Sequence, residues 1–414
     1  MTGVGLAMNT SRIYAFIVLF IMIACGLIFF SGSGLRAKSS ETLVPTKGDP
    51  IRIGILMPQA GALAEVAGVQ AEGIKMANEM EKGKAGRQVE LIFKDAGTSF
   101  QDFSQALKDL LMEDKVSGVI SCVSADMIAK AFYVMKQRVV PFIATTSVGL
   151  DWKTKEGGTV IRMGTSLEDQ AYACSRFMAN VLHAFRIALV VDVQDESCVR
   201  LASLFSSYIV RTNGRIVDIA YIKKGEDPSP GITHLMGGKP DAVYIPFSGS
   251  NTHAALLKAR SLDAARSILV SNIQPEEVFL READKSLEGL YIQSDFIEET
   301  VKSPIGKEFI EFFRKHAQKR TYLGSSTATG ADSYFLMLDM VSRQQKAMPD
   351  ETSSTDSSWR PLLLGITLSK PGGTVQKYLC FGRIKRDFLG DAVLKYVASV
   401  AFSGSDPVAH IRAQ

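Results

Sequence analysis

Several kinds of chemistry lack the residues or the spacing they need in this sequence. Its 414 residues include five cysteines, none in a C-x-x-C pair, and five histidines, none at metal-ligand spacing from another. This pattern does not predict a metal site. No serine carries the flanking glycines of a G-x-S-x-G nucleophile elbow, and no Cys-His or Ser-His-Asp set is indicated by spacing. We therefore expect a protein that is not an enzyme and that needs no cofactor or metal.

Sequence patterns typical of nucleic-acid binding and of nucleotide-phosphate binding are also missing. The 47 basic residues are scattered among 43 acidic ones, for a net charge of +4, so the sequence predicts no nucleic-acid partner. Gly54 lies inside a predicted strand, while Gly61 and Gly68 are too widely spaced for a dinucleotide or P-loop motif. The chain is long enough for two domains, and its 46% hydrophobic and 22% charged residues are typical of a globular protein.

One long hydrophobic run is present, at residues 13–30, directly after Arg12. As a helix it would be about 27 Å long, enough for the core of a bilayer. We predict that residues 1–37 are a signal sequence or a membrane anchor. The N-terminal end of the run, which carries Arg12, is expected to stay in the cytoplasm. Residues 31–50 are rich in Ser, Gly, Thr, Lys and Pro, and we predict that residues 38–50 are a linker.

Three fates of this N-terminal segment stay open. The first is retention as a membrane anchor, and the second is cleavage near Ala37. The third is a lipoprotein signal with Cys25 as the lipidated residue. Each of them places residues 39–414 on the periplasmic or extracellular side of the cytoplasmic membrane.

The stretch from residue 51 to residue 80 contains the first strand, a turn and the first helix. Apolar residues dominate 51–57, as in a strand that is covered on both faces, and Pro58 ends it because proline has no N–H for the ladder. Ala64, Ala67, Ala71, Ile74 and Ala77 then recur on one stripe of a helix.

Alternation of strands and helices continues along most of the chain. Strands are predicted at 88–95, 116–121, 139–144, 159–163, 186–191, 215–221, 241–246, 267–271, 289–293, 376–380 and 388–400. Helices are predicted at 100–114, 125–138, 166–184, 196–212, 251–261, 275–281, 304–318 and 326–345. Residues 228–231, P-S-P-G, are predicted to break the chain. Such alternation indicates parallel sheets covered on both faces.

Two motifs in the stretch from residue 51 to residue 80 resemble a known protein family. M-P-Q-A-G at 57–61 and G-I-K-M-A-N-E at 73–79 resemble the opening of the type I periplasmic solute-binding proteins, the branch with the leucine/isoleucine/valine-binding proteins. The resemblance implies an α/β fold with two doubly wound parallel-sheet lobes joined by a multi-strand hinge, preceded here by the N-terminal hydrophobic helix. Lobe 1 would comprise about 51–164 and 296–365, lobe 2 about 166–294 and 366–400, and 401–414 a tail.

The resemblance also implies a function. It predicts an extracytoplasmic substrate-binding protein of an ABC importer that captures a small ligand, an amino acid or a related carboxylate, by closure of two lobes. The expected partners are that ligand, the transporter permease, and the membrane through the N-terminal helix. The alternative is a membrane-anchored ligand sensor that reuses the fold and contacts a signalling partner. The ligand's identity and the oligomeric state stay open.

In lobe 1 the ligand-binding residues implied by the family are hydroxyls that follow two strands. Ser121 and Ser124 follow the third strand, and Thr145, Thr146 and Ser147 follow the fourth. The carboxyl ends of parallel strands form the ligand-binding edge of such sheets, and hydroxyls there suit a carboxylate. The structural alternatives are that Ser124 only caps the next helix and that the threonines form a hydroxyl-rich turn.

In lobe 2 the implied ligand-binding residues are Asp195, Ser248 and Asn272. Asp195 could receive an ammonium group, or it could cap the following helix. The family's Tyr-Gly pair is replaced here by Ser197-Cys198, and its acid for the α-amino group by Asn272. A neutral amide pairs an ammonium less well than a carboxylate does, so a carboxylate-bearing ligand is favoured over a free amino acid.

Overall fold

The structure is a computed structural model. It describes residues 50–82, 88–146, 160–247, 249–271, 273, 275–317, 322–346, 366–368, 375–386, 391–401 and 411–413. The predicted N-terminal helix at 13–30 and Cys25 lie outside these ranges. Within them, no helix combines the length and the apolar character that crossing a membrane requires.

The first half of the chain forms a five-stranded sheet, sheet 1, in the order β2-β1-β3-β4-β5 with every pair parallel. Its strands are β1 (Ile51–Met57), β2 (Val89–Asp95), β3 (Gly118–Ser121), β4 (Phe142–Ala144) and β5 (Val160–Arg162). The helices between them are α1 (Ala64–Glu81), α2 (Phe100–Met112), α3 (Ala125–Lys130) and α4 (Phe132–Met135). The predicted alternation of parallel strands and helices is confirmed here.

A second sheet, sheet 2, follows in the order β14-β13-β12-β10-β9-β8-β6-β7. Its strands are β6 (Arg186–Asp192), β7 (Arg215–Ile222), β8 (Ala242–Pro246), β9 (Ser267–Ser271), β10 (Tyr291–Ser294), β12 (Val375–Arg386), β13 (Ala392–Ala401) and β14 (Ile411–Ala413), and β11 (Ile366–Leu368) pairs with β12 off this path. Its helices are α5 (Leu167–Asn180), α6 (Glu196–Ile209), α7 (Ser229–Gly237), α8 (Ser250–Leu262) and α9 (Glu276–Glu282).

Sheet 2 is mixed, which corrects the prediction of two parallel sheets. Strands β6 to β10 are parallel, but β12 runs antiparallel to β10 and β13 antiparallel to β12. The connection between Arg386 and Ala392 is too short for a parallel crossover, which needs a dozen or more residues, and this explains why β13 is antiparallel to β12. Part of the predicted tail is also a strand, since β14 pairs with β13.

Two helices after β10 return to sheet 1. These are α10 (Pro304–His316) and α11 (Ser325–Lys346), and their apolar side chains share one buried core with α1 and β1. We call sheet 1 with α1 to α4, α10 and α11 lobe 1, and sheet 2 with α5 to α9 lobe 2. The residue bounds predicted above for the lobes stay a prediction.

Close contact between the backbones of α1 and α11 explains one motif glycine. A Cβ at Gly73 would lie 2.2 Å from the Thr327 carbonyl oxygen, and one at Gly330 would lie 2.0 Å from the Gln70 carbonyl oxygen. Only glycine permits so close an approach. Gly73 begins the second motif that resembles the family, so the motif here has a packing role.

Two helix predictions need correction. The segment predicted as one helix at 125–138 forms the two short helices α3 and α4, separated at Ala131. The P-S-P-G stretch does not break the chain but contains the start of α7 at Ser229. Proline is compatible with the first turn of a helix, because the N–H it lacks would have no partner within the helix there.

The four cysteines within the described part of the chain are buried free thiols: Cys122, Cys174, Cys198 and Cys380. Desolvation raises the pKa of each of the first three to about 12, so they stay protonated at neutral pH. Buried thiols of this kind pack as small apolar side chains.

Candidate functional site

The loop after β3 contains two of the predicted binding residues in different environments. Ser121 is fully buried, and its hydroxyl donates to the Leu56 carbonyl oxygen at 2.9 Å, a bond between β3 and β1. Ser124 is exposed, and its Oγ accepts from the Met127 N–H at 3.4 Å at the start of α3. Its own O–H is not engaged in this bond and can donate to a ligand.

The loop after β4 lies directly against the loop after β3. Thr145 Oγ1 donates to Gln70 Oε1 at 2.6 Å and approaches the Ser121 carbonyl oxygen at 3.2 Å. Thr146 Oγ1 donates to the Val123 carbonyl oxygen at 2.7 Å. Both threonines are buried. The structure therefore brings four predicted hydroxyl residues of lobe 1 together, with three of the hydroxyls donating to protein groups.

Asp195 of lobe 2 caps a helix. Its Oδ1 accepts from the N–H groups of Ser197 at 2.8 Å and Cys198 at 3.0 Å, and from the Ser197 hydroxyl at 2.6 Å. These bonds satisfy N–H groups of the first turn of α6. The other predicted binding residues, Ser147, Ser248 and Asn272, lie outside the described residues.

Two buried glutamates, Glu276 and Glu277, lie side by side at the start of α9, and the sequence analysis did not identify this pair. Glu276 is 1% exposed, accepts a hydrogen bond from the Tyr322 hydroxyl, and lies 3.4 Å from Ser325 Oγ. Burial raises the pKa of Glu276 to about 8, and the hydroxyls of Ser294 and Tyr322 lower it by a smaller amount.

Glu277 connects the two lobes. Its Oε1 accepts from the Thr327 N–H at 2.7 Å. Thr327 is the third residue of α11, where main-chain N–H groups have no partner within the helix. Gly324 leaves the space for this contact, since a Cβ there would meet the Glu277 side chain at 2.5–2.8 Å. Burial raises the pKa of Glu277, while its hydrogen bond to Thr327 lowers it.

The crossings between the lobes are also linked. Thr165, between β5 and α5, donates from Oγ1 to Asp295 Oδ1 at 2.7 Å. Asp295 follows β10, where the chain returns towards α10. The bond therefore holds the first and second crossings side by side, as in a hinge made of several chain segments.

The sequence profile of the periplasmic binding proteins matches residues 50–388. The chain belongs to this family. The predicted type I fold of the leucine-binding branch is thereby confirmed. The comparison with curated proteins returns no match.

Solved structures of this periplasmic binding protein's relatives share its fold at low identity. The leucine-binding protein LivK of Thermotoga maritima is 20% identical with a TM-score of 0.65, over 83% of this chain and 97% of that one. LivJ of Streptococcus pneumoniae, solved with isoleucine, is 18% identical with a TM-score of 0.68, over 84% and 99%. A solute-binding protein of Rhodopseudomonas palustris, solved with 3,4-dihydroxybenzoic acid, is 16% identical with a TM-score of 0.69, over 85% and 97%.

Proposed function

We propose that this periplasmic binding protein is the extracytoplasmic substrate-binding component of an ABC importer and captures a small carboxylate by closure of its two lobes. The observation that carries the proposal is the pair of lobes joined by crossings that are hydrogen-bonded through Thr165 and Asp295. A segmented hinge of this kind supports a rigid-body movement of one lobe against the other.

The ligand would lie between the carboxyl edges of the two sheets, where α/β folds of this type bind small molecules. In lobe 1 we propose Ser124 as the direct donor, because its O–H is not committed to the cap. Ser121, Thr145 and Thr146 would shape the loops through their internal bonds. Ser147 and, in lobe 2, Asp195, Ser248 and Asn272 remain proposed contacts.

Substrate class follows from the charges that would face the ligand. By resemblance to the amino-acid binders of this family, an acid is expected at the position of Asn272, so an α-ammonium group would meet a neutral amide there and not a carboxylate. Relatives of this fold have been solved both with isoleucine and with 3,4-dihydroxybenzoic acid. We infer that carboxylates without an α-ammonium group are the better candidates.

A thermal-shift screen of the purified full chain tests this proposal. The panel contains L-isoleucine, 4-hydroxybenzoate, the uncharged 4-hydroxybenzamide, and a purine as a control of unrelated chemistry. A ligand at about 100 times its Kd stabilises the fold by about 2.7 kcal/mol. A shift with 4-hydroxybenzoate but not with its amide supports a carboxylate site. A shift in melting temperature with isoleucine alone would show that the substrate is an amino acid and would contradict the inferred substrate class.

Two serine variants then locate the site. Ser124→Ala should weaken ligand binding and cost about 1 kcal/mol of stability, because the Met127 N–H loses its capping acceptor. Ser121→Ala should lower stability through loss of its buried bond to Leu56. Unchanged affinity in Ser124→Ala would remove this residue from the site.

The sensor alternative rests on the hydrophobic run at residues 13–30. It predicts ligand binding without delivery to a permease. Uptake of the radiolabelled ligand into cells, compared with and without this protein, separates the two functions. A retained anchor with no effect on uptake would favour the sensor.

A further inference from the structure

Glu276 lies at a contact between the two lobes. It is the first residue of α9 in lobe 2, and its Oε1 accepts from the hydroxyl of Tyr322, which lies between α10 and α11 of lobe 1. Ser325 Oγ, at the start of α11, donates to its Oε2 at 3.4 Å. Both oxygens of this carboxyl group therefore meet hydroxyls of the opposite lobe, and only 1% of the residue is exposed.

The charged groups that act on Glu276 most strongly are negative. Glu277 is its neighbour in α9, and Asp295 follows β10. Both carboxyl groups oppose the ionisation of Glu276. Within the described part of the chain, Glu276 forms no ion pair with a lysine, an arginine or a histidine. A buried carboxyl group without a cationic partner is more stable with its proton bound.

Other elements bring further charged side chains to this part of the lobe boundary. Those that lie around one pocket with Glu277 and Tyr322 are Glu65, Glu72, Arg281, Arg386 and Asp391. Glu298 acts on the Tyr322 hydroxyl. Because neither arginine pairs with Glu276, the hydroxyls of Tyr322, Ser325 and Ser294 are the groups that contact its carboxyl group favourably.

We propose that Glu276 makes the arrangement of the lobes sensitive to pH: the protonated side chain holds α9 against Tyr322 and α11, and loss of the proton favours separation of the lobes. This inference rests on the lobe movement proposed above and adds its regulation. When the lobes separate, water reaches Glu276 and its carboxylate form is no longer disfavoured by burial. Separation of the lobes is therefore coupled to release of one proton from Glu276.

The direction of the pH dependence follows from this coupling. Burial in the contact raises the pKa of Glu276 from 4.5 to about 8. The contact is fully stabilised below pH 4.5, and it loses this stabilisation as pH rises through 8. Between these values the ratio of contacting to separated lobes should fall by up to about tenfold for each pH unit, because one proton is exchanged.

Single-molecule fluorescence energy transfer between one dye in each lobe tests this proposal. The dyes are attached to the full chain at Lys108→Cys in α2 and Ser207→Cys in α6, two exposed helix positions. Cys25 is replaced by serine, and the other four native cysteines are buried. From pH 5 to pH 9 the share of molecules with separated lobes should rise, with a ratio that changes by up to about tenfold for each pH unit.

Two substitutions in α9 distinguish Glu276 from general effects of pH. Glu276→Gln keeps an oxygen that can accept from Tyr322 but cannot titrate, so the lobe populations should stay constant over the same pH range. Glu282→Gln removes an exposed carboxyl group from the end of the same helix, and it should keep the pH dependence of the parent protein. Thermal unfolding at pH 5 shows whether each variant is folded.

The outcomes separate this inference from the lobe movement on which it rests. Two lobe separations whose populations do not change with pH would leave the movement intact and overturn the role of Glu276, even if Glu276→Gln does not fold. A pH dependence that survives in folded Glu276→Gln would overturn it as well. A single lobe separation at every pH, with and without 4-hydroxybenzoate, would contradict the lobe movement itself and this inference with it.

Discussion

The carboxylate of Glu277 in lobe 2 accepts a hydrogen bond from the main-chain N–H of Thr327 in lobe 1 at a distance of 2.7 Å. A helix terminus is thus satisfied by a side chain distant in sequence and from the opposite lobe. The contact ties the position of α9 to that of α11. Loss of this carboxylate should therefore weaken the contact between the two lobes.

Glu277→Ala should lower the free energy of unfolding by about 1–3 kcal/mol, because the Thr327 N–H loses a buried acceptor. Glu277→Gln should lower it less, since the amide retains an oxygen that can accept this bond. Urea unfolding of both variants measures the difference. Equal losses in the two would show that the charge, and not the hydrogen bond, stabilises the contact.

Gly324→Ala should destabilise the protein by about 1–3 kcal/mol. Its Cβ would lie 2.5 Å from Glu277 Cδ and 2.8 Å from Oε1, so the glutamate must move. In the Glu277→Ala background the same substitution should cost much less stability, because the Glu277 carboxyl atoms that the new Cβ would contact are absent. A double-mutant cycle by chemical denaturation checks this coupling, and additive losses would contradict it.

Glu276 should make stability depend on pH. Its pKa is about 8 in the folded protein and 4.5 ordinarily, so between these values the folded state holds a proton that the unfolded state releases. The free energy of unfolding should therefore fall as pH rises from 4.5 through 8, by about 5 kcal/mol in total from this group. Denaturation at pH 5, 7 and 9 should show a smaller fall in Glu276→Gln than in the parent protein.

Two glycines of α1 should respond to alanine with opposite sign. Gly68→Ala should stabilise the protein by up to about 1 kcal/mol, because the added Cβ meets nothing within 4 Å and alanine favours a helix. Gly73→Ala should destabilise it by about 1–3 kcal/mol or more, because the Cβ would lie 2.2 Å from the Thr327 carbonyl oxygen. Thermal unfolding distinguishes them, and a shift of the same sign in both would contradict the helix contact.

Thr145→Val should cost about 1–3 kcal/mol of stability, because it leaves the buried Gln70 amide oxygen without its 2.6 Å donor. Gln70→Leu should remove much of this penalty when the two substitutions are combined. Denaturant unfolding of the single and double variants gives the coupling. If the two substitutions show no coupling, the hydrogen bond between Thr145 and Gln70 does not contribute to stability, and the Thr145 hydroxyl is available to a ligand.

Local patterns predicted the α/β alternation well. Strands such as β1 and β6 carry continuous apolar runs that only a sheet covered on both faces explains. Helix α7 was missed, because proline was read as a breaker although the first turn tolerates it. The direction of β12 was missed as well, since strand direction depends on the connection and not on the composition of the strand.

The candidate site was predictable only in part. The caps formed by Ser124 and Asp195 were among the alternatives that the sequence left open, since a capping side chain bonds within its own turn. The bond between Thr145 and Gln70 could not be predicted, because the partners are 75 residues apart and meet only when the loop after β4 lies against α1.

By itself, the sequence determined the family, the alternation of strands and helices, and the places where hydroxyl residues end the strands. Those features depend on neighbours within a few residues of one another. Only the tertiary structure decided which hydroxyls are already engaged, which glycines face another backbone, and that Glu276 and Glu277 lie buried against α11. Burial and hydrogen bonding between distant segments arise from packing, and packing is set by the whole fold.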